Sequence, residues 1–459
     1  MQRIARMSVN GASHISSVAV VGAGVSGSVC AQTLSKAGVN VTVFDQGWTA
    51  PGGRTSSRQA AVTGPSGAAT VRFDQGCQFF RHTPGMQPLI DEWLAAGVAA
   101  EWACRRGTLD IRSGSYTQPD ALSSTAGSHG GFFDMLSPGP LYVGVPSMAA
   151  IPASLCSSTT GSSSSSSTNT TRASGSGSGG ATMNLVLGSK VTSASQDADG
   201  RWVLSYTSGS ARDAAAGGSG VTSNRSLPFD ALVFSDSLFA RPGGASHIET
   251  PGHSTASSPI HALRESLASA RRVALFSLMF ALPSPGLSLP FEAASLTSPD
   301  ASHGIAFLCE DSSKPGRERD DGLRSYVAVT TEAFAADLMD PGSGSAAAIA
   351  AAAAGALPVQ SSSYRGDKAA LIWARLLEDL KSTAGASVPP TPVYMHAQRW
   401  GAAYTDKPLG VSHMADAHNR FAACGDFCLG AGFGNAALSG EAAAIAVVRM
   451  LTPSAEPML

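Results

Sequence analysis

Short β-branched runs and apolar stretches of helical length alternate along this chain, and long polar tracts break them up. Val18–Val21 is an apolar run, and a glycine-rich turn follows at Gly22–Gly27. A helix-compatible stretch covers Val25–Ala37, with Gly38 placed to cap its end. Val41–Asp45 is a second β-branched run that closes on an acid. Strand, glycine turn, helix and strand predict a right-handed βαβ unit on a parallel sheet. Leu185–Ser193, Trp202–Tyr206 and Phe229–Phe234 predict a three-stranded meander with Gly200 in its first connection. Val273–Leu282 predicts a core strand, and Ile305–Glu310 and Ser325–Thr330 predict neighbours in a sheet. Asp367–Ser382 predicts an amphipathic helix with Leu371, Ile372, Leu376, Leu377 and Leu380 on one side. The last unit is the run Phe421–Cys424, a turn over Gly425–Gly434, and an apolar helix from Asn435 to Leu451.

Composition adds bounds to that picture. A chain of 459 residues accommodates two domains with sizeable cores, and 43 % hydrophobic content fits a globular protein. A net charge of −2 gives no reason to expect nucleic acid or acidic lipid as a partner. No apolar run reaches the roughly 18 residues that span a bilayer, so the reading is soluble. Seven cysteines without a CxxC pair suit reduced thiols in an intracellular compartment. The cytoplasm is expected, with a plastid or other organelle as the alternative: Arg3, Arg6 and several serines lie ahead of the first strand without an acid. Residues 1–14 are read as a disordered lead-in. Residues 156–182 and 207–227, rich in Ser, Thr, Gly and Ala, are read as flexible insertions, because such tracts bury too little apolar surface to order themselves.

Gly22-Ala-Gly24-Val25-Ser26-Gly27 matches GxGxxG, a weak signal by itself. Here it leaves a strand, opens a helix and precedes Asp45 by about twenty residues, the context of a dinucleotide fingerprint. Gly22 permits the tight turn, Gly24 admits a pyrophosphate to the backbone, and Gly27 lets helix meet strand. The helix N-terminus offers free N–H groups to the phosphates, and Asp45 would accept from a ribose. Gly52-Gly53-Arg54, with Arg58, follows the second strand and would bring a second backbone segment and a guanidinium to the pyrophosphate. Near the C-terminus, Gly425 and Asp426 close a strand. Asp426 would hold a polyol hydroxyl, and the helix entered at Asn435 would face the electron-rich edge of an isoalloxazine.

These three elements in this order resemble the flavin amine oxidase superfamily, and most nearly its renalase-like members. Phe73-Asp74-Gln75-Gly76-Cys77-Gln78-Phe79-Phe80 is similar to the family's strand beside the flavin. Tyr142–Met148, Ser313–Arg317 and Gln398-Arg399-Trp400 resemble further segments, so the likeness spans nearly the whole chain. It implies an α/β fold: a Rossmann-type FAD-binding domain from residues 15–82, 183–240 and 417–455. A mixed-sheet α+β substrate domain would come from 83–155 and 241–416. It also implies non-covalent FAD, with Val191 at the adenine end. Cys428 lies near the flavin motif without the surroundings of a covalent attachment site.

The implied reaction is oxidation of dihydronicotinamide isomers of NAD(P)H, with hydride passing to flavin N5 and electrons to molecular oxygen to give hydrogen peroxide. Such a substrate gains aromaticity on losing hydride and needs no general base, and no acid–base constellation stands out. The catalytic residues are therefore left unassigned. Candidates for the substrate site are Gln78, Phe79, His82, Lys314 and Trp400. His82 also reads as an exposed strand-end residue, and Lys314 as a strand terminus. Phe80 joins Phe79 and Trp400 as a possible wall for a planar substrate, and Arg317 and Arg399 would line a phosphate-tolerant entrance. No HExxH or paired Cys/His spacing suggests a metal, and no GxSxG suggests a hydrolase. An amine or polyamine oxidase on the same fold, and a flavin-binding redox or interaction module without turnover, are the alternatives.

Overall fold

The computed structural model describes residues 16–119, 133–157, 181–209, 222–237, 259–268, 272–339, 360–383 and 389–452. The βαβ unit forms as β1 (Ser17–Val21), α1 (Val25–Lys36) and β2 (Asn40–Phe44). Val18, Ala19 and Val20 are fully buried, as expected of a parallel strand covered on both faces. α1 stops where Gly38 takes φ +89° and the Val39 N–H turns back to the Leu34 carbonyl. The sheet has six strands in the order Met414–Asp416, Phe421–Ala423, Ala231–Phe234, β1, β2 and Met183–Val186. All pairings are parallel except that of Met414–Asp416 with Phe421–Ala423.

The expected meander divides between two sheets. Met183–Val186 pairs with β2, and Ser189–Gln196 pairs with Trp202–Ser208 in a separate antiparallel sheet. The third run does not continue that hairpin, because Ala231–Phe234 pairs with β1. The physical reason lies in burial: all four of its residues are buried, whereas a meander strand with one wet face alternates. Thr222–Arg225, inside a stretch expected to be flexible, forms the third strand of the antiparallel sheet. Residues 1–14, 158–180 and 210–221, also read as unstructured, lie outside the described residues.

A seven-stranded mixed sheet makes the second layer. Its order is Tyr394–Thr405, Arg272–Pro283, Leu323–Thr330, Ile305–Glu310, Ala293–Thr297, Arg106–Asp110 and Tyr116–Thr117. The two strands expected to be neighbours do pair, antiparallel. The helix Ser362–Leu380 covers one face of this sheet through Ala369, Ile372, Leu376 and Leu380, which join Phe276, Leu278 and Phe280 in one core. Leu371 does not share that face. It is 51 % exposed, because its position falls at the edge of the apolar stripe. The hairpin β3 (Ser57–Gly64) and β4 (Gly67–Asp74) lies against the other face, with Val71 and Phe73 in a core shared with Met279 and Val327. Among the described residues, no helix is long and apolar enough to cross a membrane.

Candidate cofactor site

The glycine turn is built from close approaches that no side chain would survive. A Cβ on Gly27 would sit 1.9 Å from the Gly22 carbonyl oxygen, so helix and strand touch through backbone alone. Gly22 has φ +100°, and the Ser235 hydroxyl donates to both the Val21 and Gly22 carbonyls at 2.9 Å, bracing the turn from Ala231–Phe234. Gly24 is the N-cap of α1 and has no side-chain cap. A Cβ there would meet only the Gly52 carbonyl, at 3.9 Å. Gly52 pairs with Gly24 as a parallel bridge, and the Gly52 N–H donates to the Ala23 carbonyl at 2.8 Å. Two glycine backbones thus lie side by side at the open end of α1, and Val25 and Ser26 are buried in its first turn. Gly53 follows, with its Cα side toward Gly24.

Asp45 is more internal than a ribose acceptor at a rim. Its carboxylate accepts the Ala23 and Gly47 N–H groups, each at 2.7 Å. Burial pushes the carboxyl above its ordinary value in spite of these two donors. The same corner holds Val191: the Ser189 N–H donates to the Asp45 carbonyl and the Gly188 N–H to the Gly47 carbonyl, both at 2.8 Å.

The C-terminal segment closes on this turn. Arg54 makes a bidentate pair with Asp426, at 2.5 and 2.7 Å, and donates to the Ala403 carbonyl at 3.0 Å. Expected as separate contacts for the cofactor, Arg54 and Asp426 are each other's partner. The Gly425 N–H donates to the Ser439 hydroxyl at 2.9 Å, which fixes the turn to the helix Phe433–Leu451. Gly440 lets that helix approach α1 so closely that a Cβ would stand 2.1 Å from the Ser26 carbonyl oxygen. The C-terminal helix starts at Gly432, φ +127°, without a side-chain cap and with no atom within 4 Å of where a Cβ would be. Asn435 lies in its first turn, its amide 3.4 Å from the Ala431 carbonyl. The C-terminal helix thus meets the first turn of α1 at its eighth residue, and both helices begin at a glycine without a side-chain cap.

Residues 20–96 match the family of the NAD(P)-binding Rossmann-like domain. No curated protein matches the chain significantly in sequence. Solved structures are similar over nearly the whole length. A structure from Exiguobacterium sp. 255-15, provisionally assigned as a protoporphyrinogen oxidase, has 10 % identity and a TM-score of 0.54, covering 95 % of this chain and 99 % of that one. Cyclohexylamine oxidase from Brevibacterium oxydans IH-35A has 14 % identity and a TM-score of 0.52, covering 95 % and 100 %. A fatty acid isomerase from P. acnes has 11 % identity and a TM-score of 0.52, covering 96 % and 99 %. The fold is thus that of a Rossmann-type α/β protein with an additional domain. That one fold serves two oxidases and an isomerase is reason to argue the reaction from the site.

Four of the substrate-site candidates and two arginines have definite places. Lys314 and Gln78 are buried together in a network that the sequence gives no hint of. The Lys314 ammonium lies 3.2 Å from Asp74 and 2.7 Å from Asp311, and Arg317 bridges the same two carboxylates at 2.6 and 2.8 Å. Gln78 accepts from Lys314 at 3.2 Å and donates to the Asp74 and Gly76 carbonyls. Asp74 also accepts the Ser57 hydroxyl and the Met148 N–H, each at 2.9 Å. Burial alone would raise the Asp74 carboxyl, but Arg317 and Lys314 outweigh it and hold the group below its ordinary value. For Lys314 the two carboxylates outweigh burial in the same way, and its pKa rises. The Cys77 and Cys309 thiols beside the network are pushed up to about 12, mainly by burial.

Trp400 is half-buried, its indole N–H donating to the Gln75 carbonyl at 2.8 Å, and its ring lies against Gly76. Phe79 is half-buried under the Arg81 guanidinium, while Phe80 is not a wall but core, stacked on Phe433 at 4.3 Å. His82 is exposed. The entrance proposed for Arg317 and Arg399 is corrected: both are buried. Arg317 is committed to Asp74 and Asp311, and Arg399 packs over the Tyr364 ring.

Proposed function

We propose that this chain is an FAD-dependent oxidase that holds its flavin non-covalently and oxidises a small reduced substrate. One observation carries the reading: three distant segments meet through direct contacts, Gly24 with Gly52, Arg54 with Asp426, and Gly440 with Ser26. Each contact depends on a residue of the flavin motifs. On this reading the first-turn N–H groups of α1 and the Gly52–Gly53 backbone receive the pyrophosphate, and Asp45 and Val191 bound the adenosine end. The C-terminal helix from Gly432 to Asn435 faces the ring system. Bound there, FAD supplies two-electron oxidation of the substrate and returns the electrons to molecular oxygen, releasing hydrogen peroxide. Cys428 supports non-covalent binding. It is fully buried, and burial raises its thiol to about 12, so little thiolate is present to attack a ring.

The substrate favoured is a dihydronicotinamide. Such a compound asks for no base, and the residues gathered near Trp400 offer none. Lys314 is locked between two carboxylates, and the Asp74 and Asp311 carboxylates are engaged by cations. A cationic amine would ask for a free carboxylate or an aromatic cage, and Phe79 already carries Arg81. The chain's own contribution is orientation and exclusion of water, with Trp400 and Gly76 as one wall. Anaerobic mixing of the FAD-loaded protein with dihydronicotinamide isomers, and separately with amines, tests this. Bleaching of the flavin by the isomers alone, reversed by air with peroxide release, is expected. Bleaching by amines alone contradicts the substrate assignment, and bleaching by neither contradicts the oxidase reading.

A further inference from the structure

Arg81 lies two residues past Phe79, and its guanidinium stands over the Phe79 ring at 5.7 Å. Arg106 reaches the same place from the seven-stranded sheet. Its register partner is Ala293, whose own partner is Cys309, so Arg106 shares a sheet face with Cys309 and with Phe307 two residues earlier. Phe307 packs against Phe79, the ring centroids 5.8 Å apart. The two guanidinium groups converge on one atom: Arg81 Nη1 and Arg106 Nη2 donate to the Ser137 carbonyl at 3.0 and 3.2 Å. Arg81 also donates to the Asp134 carbonyl at 2.9 Å and the Pro138 carbonyl at 3.5 Å, and Arg106 to the Gly139 carbonyl at 2.7 Å.

These acceptors are neutral. They fix two cations side by side and leave their charge uncompensated. Among the described residues neither arginine has an ion pair, and the Asp134 carboxylate is spent on the Leu136 N–H at 2.9 Å and the Ser137 hydroxyl at 2.6 Å. Charges withdrawn from water are ordinarily paired. Burial, and then Arg106, pull the Arg81 guanidinium down to about 10, which Asp134 only partly opposes. Both side chains are half-buried. Arg81 Nε, Arg106 Nε and Arg106 Nη1 have no partner among the described residues, and none of the three is closed off from solvent.

We infer that Arg81 and Arg106 bind an oxyanion of the phosphate class through these open donors, beside Phe79. Two planar guanidinium forks suit the several acceptor oxygens of such an ion, and not a cation or an apolar group. The oxyanion is either free phosphate or a phosphate of the substrate, and the second source rests on the oxidase proposed above. From Phe307 the sheet face runs through Val329 to Ser277, whose hydroxyl lies 3.3 Å from the Trp400 indole nitrogen. Those two strand spacings alone come to roughly 10 Å. A substrate with its ring at Trp400 and a phosphate at the arginines is therefore an extended dinucleotide and not a mononucleotide.

Calorimetric titration of the full-length FAD-loaded protein with inorganic phosphate, in buffer free of other oxyanions, tests the site. One saturable site per chain is expected, weakened at least tenfold by Arg106→Gln and by Arg81→Gln, while the melting temperature stays within a few degrees. Arg106→Lys, which keeps the charge without the fork, recovers part of the affinity. Arg112→Gln, which removes a surface arginine just beyond the same strand, leaves it unchanged. Should Arg81→Gln fail to fold, the two Arg106 variants decide. Unsaturable binding, or equal weakening by Arg112→Gln, overturns the inference.

Anaerobic flavin reduction by dihydronicotinamide dinucleotide isomers and by the phosphate-free riboside then identifies the source. If Arg106→Gln raises the half-maximal concentration of the dinucleotide alone, the phosphate is the substrate's. If it alters neither while the calorimetry stands, free phosphate is the ligand. Equal impairment of both compounds marks Arg106 as a support for the loop at 134–139 and overturns the substrate's claim on the site. Failure of both to reduce the flavin of the unaltered protein contradicts the proposed oxidase and leaves the calorimetric result intact.

Discussion

Gly24 and Gly27 belong to one motif and do opposite jobs. At Gly27 the space is taken by the chain itself, and Gly27→Ala drives a methyl group into the Gly22 carbonyl. At Gly24 the chain leaves ordinary room, so Gly24→Ala costs the fold no more than about 1 kcal/mol as a poorer N-cap. On the proposed reading, that methyl group would stand where the pyrophosphate approaches. Gly27→Ala is therefore expected to lower stability by about 1–3 kcal/mol, as an overpacked contact does. Gly24→Ala is expected to leave the melt nearly unchanged and to abolish FAD binding, read by flavin fluorescence quenching. Normal FAD affinity in Gly24→Ala would refute the phosphate cradle. The steric roles of Gly22 and Gly27 are legible in the sequence because each follows from local backbone geometry. The role of Asp45 is legible only in part. The acid at the end of β2 is where the motif places it, but its oxygens tie down Ala23 and Gly47, a contact set by how the turn folds back.

At the scale of elements, the unanticipated feature is the set of four buried charges joining β4 to the turn after Ile305–Glu310. Asp74 is more than 200 residues from Lys314, and nothing in the spacing of either announces the other. Sequence patterning reports which face of an element is apolar. It does not report which buried cation meets which buried anion. Arg317→Met removes the guanidinium shared by both carboxylates and is expected to destabilise by about 3–5 kcal/mol in urea unfolding, the cost of stranding a buried charge.

The pH dependence of this network has a definite sign. Asp74 sits below its ordinary 3.8 in the folded chain, so its contribution is present above about pH 4 and lost as pH falls through the lower folded value. Lys314 sits above its ordinary 10.5, so its contribution is present below that and lost as pH rises through the raised value. Stability should fall at both extremes, and Asp74→Asn should flatten the acid limb; an unchanged acid limb would count against the network. The crossing of the two helices is a second device at this scale. Gly440→Ala pushes the C-terminal helix off α1 at Ser26, so it is expected to lower FAD affinity and stability together. Loss of one alone would show that the crossing does not set the site.

For the whole molecule, sequence patterning identified the βαβ unit, the paired strands Ile305–Glu310 and Leu323–Thr330 and the C-terminal helix, because each depends on periodicity that a chain carries openly. It did not identify how the chain alternates between sheets. Ala231–Phe234 looks like the end of a meander, yet it inserts beside β1, since pairing partners are chosen by burial on two faces and not by order along the chain. That insertion brings Ser235 under the glycine turn and Phe421–Ala423 alongside, carrying Gly425 and Asp426 to Arg54 at the proposed cofactor site.

The central claim is that these segments meet in order to hold FAD. The most direct measurement is the absorbance spectrum of the purified protein after incubation with FAD and gel filtration, repeated on the supernatant after acid precipitation. One FAD retained per chain, all of it released into the supernatant, is the predicted result. A protein that emerges colourless would contradict the cofactor assignment, and flavin left in the pellet would contradict its non-covalent attachment.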